Sequence, residues 1–151
     1  MQGIARAFAK HGFAGDSMKH TVLLVDDSDT IRHIIKVYLM KLKQLDFLDA
    51  NRGDRGLKLL GASPVDLVIA DVNMPGMNGL EFVRQVRASD RAEVSRVPIV
   101  LLTGGKAPDL EQRSREVGVS EFVRKPISSA ALVAVVRRHL ALPSDADDLV
   151  A

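Results

Sequence analysis

The chain contains no cysteine, which excludes disulfides, thiolate metal sites and a thiol nucleophile. No apolar run approaches the ~20 residues that a helix needs to cross a bilayer, so membrane insertion is not expected. The first twenty residues carry Arg6, Lys10 and Lys19, and glycines and charges break every apolar stretch there. A signal peptide is therefore not expected, and a cytoplasmic location is. Charge of one sign is also lacking. The net charge is +2, with no continuous basic stripe, so nucleic acid is not an expected partner.

What remains is ordinary in bulk and informative in pattern. At 151 residues the chain is about one domain long and can bury a sizeable core. Its 46% apolar and 26% charged content is that of a soluble globular protein. From Thr21 onward two periods alternate. "TVLLV" (21–25), "DLVIA" (66–70) and "PIVLLT" (98–103) are short apolar runs of strand type, and "DFLDA" (46–50) and "EFVR" (121–124) read as weaker strands. Between them, Ile31, Ile34, Ile35, Tyr38, Leu39 and Leu42 mark a helical face that Ser28 or Asp29 would cap. Further helices are expected at 54–60, around Leu80–Val86, over 107–117 with Gly118 closing it, and at 128–140. Gly56 should weaken the second of these five helices.

Three strands apolar on both faces imply a parallel sheet covered by helices on each side. The expected fold is α/β: a doubly wound five-stranded parallel sheet flanked by five helices. Such sheets bind ligands beyond the carboxyl ends of their strands. There the sequence delivers Asp26 and Asp27, then Asp71, then Thr103 with Gly104 and Gly105, then Lys125 with Pro126. Clustered carboxylates with no soft ligand suit a hard divalent cation, and Mg²⁺ fits best. A carboxylate beside that ion can attack phosphorus and form an acyl phosphate. Lys125 and Thr103 would then face the phosphoryl oxygens, with Gly104 and Gly105 leaving room for the donor. Singly, each residue has a plainer explanation: a strand-end Asp usually caps a helix, and "GGK" lacks the spacing of a phosphate-binding loop. Convergence of four strand ends carries the reading.

These segments resemble the receiver domain of two-component response regulators over about residues 20–141. The resemblance rests on "VLLVDDS" (22–28), "VIADVNMPGMNGLEFVRQVR" (68–87), "PIVLLTGG" (98–105) and "EFVRKPIS" (121–128). It implies the flavodoxin-like receiver fold over 21–141, after an N-terminal extension at 1–20, expected to be partly disordered, and before a disordered acidic tail at 142–151. It further implies Asp71 as phosphoacceptor, Asp27 as a direct Mg²⁺ ligand, Asp26 acting through water, and the backbone carbonyl of Asn73 as a further ligand. Thr103 would be the switch hydroxyl beside Gly104, Lys125 the phosphate-pairing lysine, and Phe122 the switch aromatic. The Lys125–Pro126 bond would be cis. Two departures stand out: Phe122 lacks the hydroxyl of a tyrosine, and Gly105 offers no side chain to hold or block an attacking water.

The expected role is a single-domain response regulator, a signalling phosphoprotein rather than an enzyme, with only self-catalysed phosphotransfer and autodephosphorylation. Its donor would be a sensor histidine kinase or a histidine phosphotransfer protein. Its output would be binding of a downstream protein through the surface of helix 107–117, strand 121–124 and helix 128–140, or onward relay of the phosphoryl group. A monomer or weak dimer is expected. Two alternatives differ in class. "LLVDDSDT" partly fits the Asp-x-Asp-x-Thr pattern of haloacid-dehalogenase-type phosphohydrolases, with Asp27 as nucleophile and Asp29 as acid/base, although the chain is short for that family. The other is a pseudo-receiver that binds partners without phosphorylation.

Overall fold

A computed structural model describes residues 19–143. The expected extension, up to residue 18, and the expected tail from residue 144 lie outside the described residues. Five strands, β1 (His20–Val25), β2 (Leu45–Ala50), β3 (Leu67–Asp71), β4 (Ile99–Thr103) and β5 (Glu121–Arg124), form one sheet in the order β2-β1-β3-β4-β5, with every pairing parallel. Among the described residues there are six helices: α1 (Asp29–Tyr38), α2 (Gly53–Ala62), α3 (Gly79–Arg87), α4 (Ala92–Ser95), α5 (Leu110–Val117) and α6 (Ser129–Leu140). None is long and apolar enough to cross a membrane.

Side chains alternate between the faces of each strand, and the two faces carry separate cores. Leu23, Val25, Val68, Ala70, Ile99 and Leu101 pack with Leu60 of α2, Phe82, Val83 and Val86 of α3, Val94 of α4 and Leu110 of α5. Val22, Leu24, Ile69, Val100 and Leu102 pack with Ile35 and Leu39 at α1, and with Leu132, Val135 and Val136 of α6. β3 and β4 are buried at every residue, which is why they read as unbroken apolar runs.

The sixth helix corrects the expected five. α4 is a single turn with one buried residue, Val94, too short to show a period. α1 is also shorter than its apolar spacing implied: it stops at Tyr38 with Leu39 as C-cap, and Leu42 packs on the core from the turn beyond. Its N-cap is Ser28, whose side chain accepts from the Ile31 N–H at 3.2 Å. Asp29 is therefore inside the helix, ion-paired with Arg32. Gly56 has a packing reason. A Cβ there would lie 3.0 Å from the Phe82 ring and 3.1 Å from Val25 Cγ2, so its helix cost of about 1 kcal/mol accompanies a close seat for α2 on β1.

Candidate phosphoacceptor pocket

The carboxyl ends of β1, β3, β4 and β5 meet on one edge of the sheet. Asp26 follows β1 and is buried; Asp27 beside it is exposed. The Asp26 backbone is fixed twice, by its N–H to the Ala50 carbonyl at 3.0 Å and by Arg32 Nε donating to its own carbonyl at 2.9 Å. Its Oδ1 accepts from the Ser28 N–H at 2.9 Å. Asp71 ends β3 and is buried. Carboxylate oxygens of Asp26, Asp27 and Asp71 lie within 4.8 Å of one another.

Among the described residues, one ammonium answers Asp71 and Asp26. Lys125, past the end of β5, places Nζ 3.6 Å from Asp71 Oδ1 and 3.9 Å from Asp26 Oδ2. The Lys125–Pro126 peptide bond is cis. Even so, Asp71 Oδ1 is buried with no hydrogen-bond partner. Burial pushes the Asp26 carboxyl above its ordinary value; the Ser28 N–H opposes this, Asp71 adds to it, Lys125 opposes it and Asp27 adds to it. The pocket is short of positive charge. Hard oxygen donors and one unsatisfied carboxylate oxygen are what a hard divalent cation would complete.

Thr103 ends β4 fully buried, and its Oγ1 accepts from the Gly105 N–H at 2.9 Å. A Cβ on Gly104 would meet nothing within 4 Å, whereas one on Gly105 would come 3.1 Å from Thr103 Oγ1 and 3.8 Å from Asn73 Nδ2. Gly105 thus keeps open the space between the Thr103 hydroxyl and Asn73. Phe122 sits lower on β5, half-buried against the core, with the Arg124 guanidinium 5.3 Å from its ring centroid.

Three contributors escaped the sequence reading. Arg124 Nη1 donates to the Gly105 carbonyl at 2.7 Å and so ties β5 to the loop after Thr103. Arg32 is buried and braces the Asp26 backbone. Gly79, at the start of α3, touches the end of β3: a Cβ there would sit 2.4 Å from the Asp71 carbonyl oxygen and 2.7 Å from Val72 Cα. Only the "MNG" run hinted at that contact. Asp29, the acid/base of the hydrolase alternative, lies outside the acid cluster, with its side chain 94% exposed.

The comparisons with known proteins agree with this geometry. The sequence profile of the response regulator receiver domain matches residues 22–137. The chain belongs to the receiver domain family. Chemotaxis protein CheY1 of Helicobacter pylori is 39% identical over 114 residues, covering 74% of this chain and 89% of that protein. The solved structure of Vibrio cholerae chemotaxis protein CheY4 superposes with a TM-score of 0.73 at 32% identity, over 81% of this chain and 99% of that one. A probable cyclic di-GMP phosphodiesterase of Vibrio cholerae is 34% identical over 130 residues, but this receiver spans only 27% of its length.

Proposed function

We propose that this receiver domain accepts a phosphoryl group on Asp71 from a histidine kinase or a histidine phosphotransfer protein, and that the charge gained there changes its affinity for a downstream protein. The observation that carries the reading is the unsatisfied, buried Asp71 Oδ1 facing Lys125 Nζ at 3.6 Å. The transfer is a displacement at phosphorus. An Asp71 oxygen forms the new P–O bond while the P–N bond to the donor imidazole breaks, and the imidazole nitrogen keeps that electron pair.

The chain's own groups orient this exchange. Lys125 holds Asp71 in place beforehand and is positioned to pair with the phosphoryl oxygens. Thr103 can turn its hydroxyl towards the same group, giving up the acceptor role it has for Gly105. Asp26, Asp27, Asp71 and the Asn73 carbonyl are the oxygen donors that would hold Mg²⁺, which when bound supplies positive charge against the donor and phosphoryl oxygens. Phosphorylation adds roughly −1.5 to −2 charges. Near-complete switching needs about 5.5 kcal/mol of differential stabilisation, and two new charge-assisted hydrogen bonds supply roughly 1.5–3 kcal/mol each. Thr103 and Lys125 together just reach that figure, so both are needed.

The responding surface is the face of α5, β5 and α6. α5 buries only Leu110 and Ser114, so little apolar packing resists its movement. The domain acts as a signalling module in the cytoplasm, over 21–141, with an extension before it and an acidic tail after it.

The test is labelling by a small acyl-phosphate donor with Mg²⁺. Incorporation should stop at one phosphoryl group per chain, vanish in Asp71→Asn and give no sustained turnover. Turnover abolished by Asp27→Asn but retained in Asp71→Asn would establish the hydrolase alternative. Absence of labelling together with absence of Mg²⁺ binding would establish a phosphorylation-independent binding module.

A further inference from the structure

α5 is held at each end by an arginine, and the two holds are unequal. At the exit, half-buried Arg87 of α3 donates from Nε to the Gly118 carbonyl at 2.8 Å, and from Nη1 to the Ser95 and Val97 carbonyls at 2.9 and 2.6 Å. At the entrance, Gly105 is gripped from both sides. Its N–H donates to Thr103 Oγ1 at 2.9 Å, and its carbonyl accepts from Arg124 Nη1 at 2.7 Å. A Cβ on Gly105 would lie 3.4 Å from Leu110 Cδ2. Gly105 therefore also rests against the one large apolar side chain that α5 buries.

We infer that Arg124 is the latch of this entrance, a positioning residue that keeps Gly105 where the Thr103 oxygen can accept its N–H. Arg124 is exposed on β5, the edge strand of the sheet. Among the described residues no carboxylate pairs with it. Its charge goes to the Gly105 carbonyl and to the face of Phe122, whose ring centroid is 5.3 Å away. A guanidinium is attracted to an aromatic face at that distance, so the ring helps to keep Arg124 beside the loop.

The latch rests on the phosphoacceptor reading for its consequence, though not for its existence. When Thr103 turns towards a phosphoryl group, Gly105 loses the partner of its N–H, and Arg124 alone holds the loop. Whatever Arg124 adds to the resting arrangement therefore opposes, by thermodynamic reciprocity, the state in which Thr103 has turned. The exit does not yield at the same time. Arg87 binds three carbonyls from a half-buried position, whereas Arg124 binds one from an exposed position, where charged contacts are weak. α5 should tilt at its Leu110 end and stay fixed at Gly118.

The test is amide hydrogen exchange in the full-length, unphosphorylated protein. In Arg124→Ala the bonded amides of the entrance, Gly105, Leu110 and Arg113, should exchange about two- to fivefold faster, the range that one exposed charged contact supplies. The exit amides, Gly118 and Val119, should keep the wild-type rate. Arg124→Lys, whose ammonium can still donate to a carbonyl, should recover most of the difference. At sub-saturating acetyl phosphate with Mg²⁺, the ratio of phosphorylated to unphosphorylated chain should rise in Arg124→Ala by about the same factor. That rise should disappear in a Thr103→Ala background, because the two bonds act on one residue. Equal acceleration at both ends of α5, or none at the entrance, would overturn the latch. So would a lower phosphorylated fraction in Arg124→Ala, since Arg124 would then be holding the turned state. A wild-type chain that accepts no phosphoryl group would overturn the phosphoacceptor reading alone, because the exchange rates are read without phosphate.

Discussion

β5 links two carboxylate sites that are managed in opposite ways. Near its start, Glu121 receives Arg138 Nη2 on both oxygens, at 2.6 and 2.7 Å, and His139 Nε2 lies 2.8 Å from Oε1. Burial alone would raise that carboxyl, but the bonds from Arg138 and His139 outweigh it and hold Glu121 below the ordinary range. Past the end of β5, Lys125 is shared by two acids, its Nζ lying 3.6 Å from Asp71 and 3.9 Å from Asp26. Burial raises Asp26, and the neighbouring acids add to it. A carboxylate that serves the fold is satisfied by the fold. One left unsatisfied, in a pocket that several strand ends build, has the character of a ligand site, and that is the role proposed for Asp71.

The largest effect on this contrast should come from Gly79→Ala. The new methyl would sit 2.4 Å from the Asp71 carbonyl oxygen, so backbone must move, and the shift falls on the acid pocket rather than on the Glu121 cluster. Destabilisation near the upper end of about 1–3 kcal/mol is expected, measured by urea unfolding, together with loss of acyl-phosphate labelling. Wild-type labelling in this variant would show that the α3–β3 contact does not position Asp71.

Most of the candidate site was legible because Asp26, Asp71 and Thr103 each end or follow an apolar strand. β1, β3 and β4 announce themselves through burial on both faces, and the polar residue that follows each run belongs to the pocket edge. What was illegible acts across the chain. Arg124 looks like the solvent-side residue of a weak strand, yet it binds the Gly105 carbonyl 19 residues away. Arg32 lies among the apolar positions of α1, and its brace on the Asp26 carbonyl depends on how α1 leaves the sheet. Ser28 and Asp29 were equally good caps by residue type, and the extended backbone at Ser28 together with the bond its side chain accepts from the Ile31 N–H separates them. α4 was invisible because one buried valine has no period.

A divalent cation should sharpen the comparison by a smaller amount. Mg²⁺ that binds only the folded state adds about 1.4 kcal/mol at tenfold excess over its Kd, readable as a rise in Tm. Asp26→Asn should lose most of that gain. Without metal it should be no less stable than wild type, because it removes a buried charge that two other acids oppose. A metal-free Asp26→Asn protein clearly weaker than wild type would mean that Asp26 is a structural carboxylate like Glu121.

Glu121→Gln should change stability least and with the opposite sign. It removes a carboxylate that Arg138 and His139 favour, but Glu121 is near the surface, where such pairs contribute up to about 1 kcal/mol. A folded carboxyl held below its ordinary value of 4.5 takes up a proton later than the unfolded chain does as pH falls. Its contribution is therefore complete above the unfolded value and is lost as pH drops through the lowered one. Urea unfolding of wild type and Glu121→Gln across the acid range should show a constant gap above that window and a closing gap within it. A gap independent of pH would mean that packing of the α6 end, rather than charge, sets the worth of Glu121, and the two carboxylate sites would then differ in degree rather than in kind.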